Sequence, residues 1–187
     1  FAGVFVGSIV VPHILERVGH VRVFGAMSAI ASSAVLVHVV FFDPFVWTSM
    51  RFASGFSFAG MYIVCESWLN EKATNETRGQ LLSLYMITNL RGMAAGQLMF
   101  SLGQPGGSGL FLLASIMVSI AVVPILITAG KAPSFEAPDR ISFRRLAQVS
   151  PLAVVGMVFV GVVVSMLFGM GAVYGRNIGL DNTQVGY

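Results

Sequence analysis

The chain has 187 residues, 56% of them hydrophobic and only 10% charged, with a formal net charge of +3. Soluble domains carry roughly a quarter of their residues as charged side chains, so this composition excludes an ordinary soluble domain and calls for lipid as the solvent. The lysines and arginines sit scattered at the ends of apolar runs rather than in one patch, which excludes a nucleic-acid-binding surface.

Taken in order, the chain reads as apolar spans separated by polar turns. Residues 1–11 are too short for a span, which needs about 20 apolar residues, and read as the tail of a helix. The chain opens inside this apolar run without a methionine and closes at Val185-Gly186-Tyr187, where another run could begin, so a piece of a longer protein is expected. Residues 12–22 read as a polar turn and 23–42 as the first complete span. There Gly25, Ala29 and Ser33 recur every four residues, a spacing suited to close helix packing in lipid. A short turn at Phe42-Asp43-Pro44 precedes the span 46–69, with Trp47 and Trp68 near its ends as an aromatic belt places them. A polar loop at 70–79, a span at 81–102 and a glycine-rich turn at 103–109 follow. The span 110–129 contains Pro124, expected to kink or break it. The longest polar loop covers 130–150. Its Ile141–Leu146 stretch reads either as a short amphipathic piece at the interface or as a basic linker. Pro151 opens a span running to about residue 174, and 175–184 form the last turn. Cys65, the one cysteine, lies in a span and has no partner for an internal disulfide.

Loop lysines and arginines orient the spans. Arg17 and Arg22 lie in the first loop, Lys72 and Arg78 in the third, and Lys131, Arg140, Arg144 and Arg145 in the fifth. The even-numbered loops hold only Arg176, so the alternation is eight against one. By the positive-inside rule the first, third and fifth loops are cytoplasmic.

Within this frame a few polar residues invite a functional reading. Arg51 sits just inside a hydrophobic helix, where a charged group is costly and usually has a purpose. Arg51, Gly55, Phe58, Tyr62 and Glu66 fall on one side of that helix. This polar, small-residue face lines either a path or a tight helix–helix seam. Arg51 could equally tie helix ends together or snorkel to the outer interface. Arg91 lies near mid-membrane, with Tyr85, Thr88, Asn89, Gly92 and Gly96 on a face beside it. Tyr85 and Asn89 can bond a polar solute, and Gly92-x-x-x-Gly96 admits another backbone. Arg91 reads as a cavity residue, or as the partner of a carboxylate elsewhere in the protein. Glu66, near the cytoplasmic end, is expected to pair with an arginine of that side, Arg17 first, or else to be a solvated helix-end carboxylate. Gly19 can take the positive φ that a tight reversal needs. His38, near the outer end of its span, reads as an interface histidine rather than a proton relay, and Gly161, Ser165 and Gly169 as a packing stripe. Metal-ligand, nucleophile–base and phosphate-loop patterns are absent, so no enzyme, metal or cofactor is expected.

Pro12-His13-Ile14-Leu15-Glu16-Arg17-Val18-Gly19-His20-Val21-Arg22 resembles the cytoplasmic signature G-x-x-x-D-R-x-G-R-R between the second and third helices of major facilitator superfamily (MFS) transporters. Arg17 and Gly19 match, while Pro12, Glu16 and His20 replace a glycine, the aspartate and a basic residue. Arg51-x-x-x-Gly55-x-x-x-Ala59 resembles the fourth-helix signature of the same superfamily, at the right distance and on the right side. Gly19–Phe24 (GHVRVF), Glu66-Ser67-Trp68-Leu69-Asn70 and Arg78-Gly79 are similar to the bacterial YcaD-like branch. The glycine-proline pair of the antiporter signature is missing from the span that holds Arg91.

The resemblance implies an all-α, polytopic transmembrane helix bundle, a partial major facilitator fold in a bacterial inner membrane. Residues 1–129 would be helices two to six of the N-terminal half, 130–150 the central cytoplasmic loop and 151–187 the start of the C-terminal half. It implies secondary active transport of a small solute by alternating access, coupled to a proton or ion gradient. Arg51, Tyr62, Tyr85, Asn89 and Arg91 would line the cavity. Glu16, Arg17, Gly19, Arg22, Glu66 and Arg78 would form the cytoplasmic gate. The alternative is a membrane sensor that binds a small solute on a transporter-like bundle without moving it.

Overall fold

The computed structural model describes residues 1–101, 107–128 and 143–179. The glycine-rich turn at 103–109, the loop at 130–150 and the turn at 175–184 therefore fall largely outside the described residues. All regular structure among the described residues is helical. The helices are α1 (Ala2–Val18), α2 (His20–Val40), α3 (Pro44–Lys72), α4 (Arg78–Ser101), α5 (Gly109–Thr128), α6 (Phe143–Val149) and α7 (Pro151–Asn177).

Helix boundaries follow local chemistry. Where a polar turn was expected over 12–22, α1 continues through Pro12 to Val18 and a single residue, Gly19, separates it from α2. Gly19 has φ 88° and ψ 159°. That region is essentially closed to residues with a Cβ. At the other end of α2, Asp43 caps α3, its carboxylate accepting from the backbone N–H of Phe45 and Val46 at 2.9 and 3.0 Å. Pro44 at the first helical position loses nothing by lacking an N–H. The Trp47 indole N–H donates to Phe41 O at 2.7 Å and fixes the same turn. α5 runs through Pro124 without a break. The Phe143–Val149 helix lies in the stretch read either as an amphipathic piece or as a linker.

Among the described residues three helices, α2, α5 and α7 (over Pro151–Gly171), are long and apolar enough to cross a membrane. α3 and α4, with 29 and 24 residues, have the length but carry more polar side chains. The chain forms an all-α membrane helix bundle.

The helices divide into two units, Phe1–Arg91 with Gly103–Ala137, and Gly92–Leu102 with Pro138–Tyr187. In the first, α1 packs on α3, α3 on α2, and α2 on α5. In the second, α6 packs on α7. The core of the first unit is Val11 and Leu15 of α1, Val23 and Met27 of α2, and Val64 of α3.

Glycine sets the α1–α3 seam. Gly3, Gly7, Val11 and Leu15, spaced four apart, are the buried residues of α1. A Cβ on Gly3 would collide with Phe52 O, and one on Gly7 would lie 2.8 Å from Phe56 O and 3.0 Å from Ala59 Cβ. Gly60 plays the same part where three helices meet, 2.9 Å from Met27 Sδ and 3.2 Å from Val11 Cγ2 as measured from a Cβ placed there. The stripe expected on α2 is rotated: Gly25 faces Leu126 of α5, but Ala29 and Ser33 are exposed. The buried face of α2 carries Val23, Met27, Ala31, Ala34 and His38 instead. A Cβ at Gly92, Gly96, Gly161 or Gly169 meets nothing within 4 Å.

This packing predicts a graded response at Gly7. In the full-length protein Gly7→Ala, and more so Gly7→Val, lower stability against heat or denaturant in detergent, by about 1–3 kcal/mol for the larger residue. Wild-type stability in Gly7→Val would show that α1 and α3 do not meet through this glycine.

Candidate functional site

Around the Gly19 turn the expected gate residues Glu16, Arg17 and Arg22 are all exposed. Arg17 stands in the last turn of α1, where a cation suits the free carbonyls. The residue turned inward is His20, fully buried. Its Nε2 shares a hydrogen bond with Ser67 Oγ of α3 at 3.1 Å. Its ring lies 5.9 Å from that of Trp68, tilted by 43°. So the position where the resembling signature has a basic residue holds an imidazole packed against α3. Sequence reasoning quoted His20 and Ser67-Trp68 separately and did not join them.

Glu66 is exposed, and its side chain meets α4: the Tyr85 hydroxyl donates to Glu66 Oε1 across 3.5 Å. The Glu66–Arg17 pair expected from sequence is not formed in this structure, and Arg78 at the start of α4 is likewise exposed. An exposed ion pair is worth only about 0–1 kcal/mol, too little to hold two long side chains together.

Tyr85 lies beside Glu66, which was expected at the gate, and Asn89, which was expected in the cavity. Leu81, Tyr85 and Asn89 repeat every four residues and are the half-buried stripe of this part of α4. Asn89 Nδ2 donates to Tyr85 O at 3.1 Å, and Thr88 Oγ1 to Leu84 O at 2.8 Å. From α3, Tyr62, Cys65 and Glu66 lie within electrostatic reach of the Tyr85 hydroxyl. Tyr62, Cys65 and Glu66 of α3 thus lie near Tyr85 of α4, linked to it by the long Tyr85–Glu66 contact, while Asn89 bonds back within α4. Arg91 is not among them: two residues past Asn89, it projects about 200° around the helix, and it is exposed. Arg51 is also exposed, seven residues into α3 and so roughly 10 Å from that end. The α3 face expected to line a path or a seam therefore lies mostly outside the seams. Its Arg51, Phe58, Tyr62 and Glu66 are exposed, whereas Ser57, Gly60 and Val64 on the far side are buried.

A second polar layer lies between α2 and its neighbours. Ser32 Oγ is 2.7 Å from Ser115 Oγ and 2.9 Å from Ser119 Oγ, both on α5. Ser28 Oγ donates to Met61 Sδ of α3 at 3.2 Å. These hydroxyls act as interhelical glue. The four-residue spacing of Ser28 with Ser32, and of Ser115 with Ser119, was a signal available in the sequence. Groups of three or more metal-ligating side chains do not occur among the described residues.

No protein-family model matches the chain. No solved structure matches it either. Curated relatives do. The chain is 28% identical over 191 aligned residues to an MFS-type transporter YcaD of Salmonella arizonae, covering 100% of this chain and 50% of that protein. It is 27% identical, with the same coverage, to the proteins of that name from Salmonella newport and Salmonella typhi. The chain spans about half the length of the curated relatives it matches. Along its whole length it is therefore similar to proteins named MFS-type transporters, and its helices are consistent with part of such a bundle.

Two outcomes follow from this geometry. A Cβ on Gly19 meets nothing within 4 Å. The cost of Gly19→Ala is therefore backbone strain alone, about 1–3 kcal/mol of stability. Gly19→Asn should suffer equally, because this φ/ψ region lies outside the left-handed helical well that asparagine tolerates; full stability of Gly19→Asn would contradict that. In a double-mutant cycle, Glu66→Gln and Tyr85→Phe should couple by less than about 1 kcal/mol, as befits a long contact between accessible groups. Stronger coupling would mean that the pair closes to a short, charge-assisted hydrogen bond.

Proposed function

We propose that this chain is the portion of a secondary active transporter that runs from the second helix to the start of the eighth. The whole protein would be a multi-pass protein of a bacterial inner membrane. It would move a small solute by alternating access between two six-helix halves, coupled to a proton or ion gradient. Residues 1–129 supply helices two to six of the N-terminal half, 130–150 the cytoplasmic connection and 151–187 the opening of the C-terminal half. The observation that carries this reading is the end-to-end match to half of proteins named MFS-type transporters, in a chain with three helices able to cross a membrane.

The packing supports it physically. Alternating access needs a half that moves as one body, and a solute site needs polar groups not consumed by packing. The α1–α3–α2–α5 series supplies the first with glycine-mediated seams and a shared core. The α3–α4 face supplies the second with Tyr62, Glu66, Tyr85 and Asn89. In this reading Arg51, Tyr62, Tyr85, Asn89 and Arg91 form the cavity. Glu16, Arg17, Gly19, Arg22, Glu66 and Arg78 work the cytoplasmic gate, the charged ones exposed in this structure and so able to pair in another state.

The test is flux through the full-length protein in liposomes, driven by a proton gradient, against a panel of small solutes. Arg91→Ala is expected to reduce gradient-driven flux roughly tenfold or more, and Glu66→Gln to alter both the rate and the preferred facing. Saturable binding without flux in a folded preparation would overturn transport in favour of a sensor.

A further inference from the structure

The last turn of α2 holds a buried histidine whose second ring nitrogen has nothing to bond. His38 is 5% exposed. Its Nδ1 lies 2.6 Å from Ala34 O. A carbonyl only accepts, so Nδ1 carries the hydrogen, and in the neutral ring Nε2 is a bare acceptor. Nε2 is buried and has no hydrogen-bond partner.

Three helices close over that atom. Trp47 of α3 meets the His38 ring edge-on at 5.1 Å, Phe111 of α5 stacks on it at 6.2 Å, and Trp47 and Phe111 touch at 6.3 Å. None of these can satisfy Nε2. Phe111 has no polar atom, and the Trp47 N–H is given to Phe41 O. The charged groups at this end of α3 are Asp43, held by the Phe45 and Val46 amides, and Arg51, which is exposed. α5 has no ionisable side chain over Gly109–Thr128, and α2 has none other beyond Arg22.

In the closed arrangement either charge state is poorly served. Neutral, the ring buries an acceptor without a donor. Charged, it buries a donor without an acceptor, offset only by the aromatic rings around it. Nothing larger than a proton can occupy a position with no accessible surface, and a proton arrives there only when the three helix ends part. This is the end at the Phe41–Asp43 turn, which the loop charges place outside. We propose that His38 is a proton-binding site at the outer end of α2, and that its protonation holds the outer ends of α2, α3 and α5 apart. Acid on the outer side then favours an outwardly open seam. The device does not depend on transport; it would serve a sensor as well.

Trp47 reports on it directly. In the full-length protein in nanodiscs, the Trp47 signal is the difference between wild type and Trp47→Phe, which removes Trp68 and any tryptophan outside this chain. Acrylamide quenching of that signal is expected to rise roughly fivefold between about pH 8 and about pH 5, the size expected from one unpaired buried group. His38→Phe, which fills the cage without a polar atom, should give the same quenching at every pH. His38→Gln, which keeps polarity but cannot ionise, should show no pH dependence and serves if the phenylalanine variant does not fold. A flat wild-type profile, or a pH dependence surviving in either variant, would overturn the proposal.

Discussion

The structure depends on how closely α1 can lie against α3. Lipid tails are as apolar as leucine, so burying side chains gives little drive for helices to associate in a membrane. What remains is dispersion between surfaces that fit and the few hydrogen bonds between helices. Gly3 and Gly7 remove the side chains that would hold the two backbones apart at Phe52, Phe56 and Ala59. That approach lets Val11 and Leu15 reach the core, where they meet Val64 of α3 and Val23 and Met27 of α2. Gly60 then lets Met27 and Val11 settle against α3 from two sides. Substituting any of the three glycines would disturb more than its own contact, because the same core joins all three helices.

With the seams dry and made of small residues, polar groups sort by task. Serine hydroxyls that face a neighbour are spent on it: Ser32 on Ser115 and Ser119, Ser28 on Met61. The polar groups of the α3–α4 face are spent only weakly, with a 3.5 Å contact between Glu66 and Tyr85. The charged residues of the Gly19 turn remain exposed. This contrast, rather than any one residue, separates the side chains committed to packing from those left accessible.

The two ends of α2 show the same device used differently. His20 at one end and His38 at the other are both buried, and each packs against a tryptophan of α3, Trp68 and Trp47 respectively. The tryptophans that sequence places as an interfacial belt are at the ends of α3 as expected. There they also cover histidines. His20 finds Ser67 for its Nε2, whereas the Nε2 of His38 finds no hydrogen-bond partner. The His20 bond therefore ties α2 to α3 at one end, whereas the bond that His38 makes, to Ala34 O, stays within α2.

The class of protein and the rough order of its helices were legible in the sequence, but not every break: the turn expected over 12–22 shrinks to Gly19, and Pro124 breaks nothing. What was legible follows from local rules: the length of apolar runs, Gly19 where φ must be positive, Asp43-Pro44 at a helix start, and charge placed by membrane side. The sequence also carried the resemblance that full-length relatives bear out. It did not determine which helices touch. α2 follows α1 in the chain, yet each packs chiefly on α3, and α2 turns its other side to α5. That choice depends on which surfaces fit, and a spacing of four reads alike whether or not a partner is present. Hence Ala29 and Ser33 were expected at a seam and are exposed, while Gly3 and Gly7 make the closest one. The same holds at the site. Glu66 could be placed at a helix end from sequence, but whether it meets Arg17 or Tyr85 depends on distances that only the tertiary structure sets. His38 carries no sign of its cage in the sequence, because Trp47 and Phe111 reach it from two other helices.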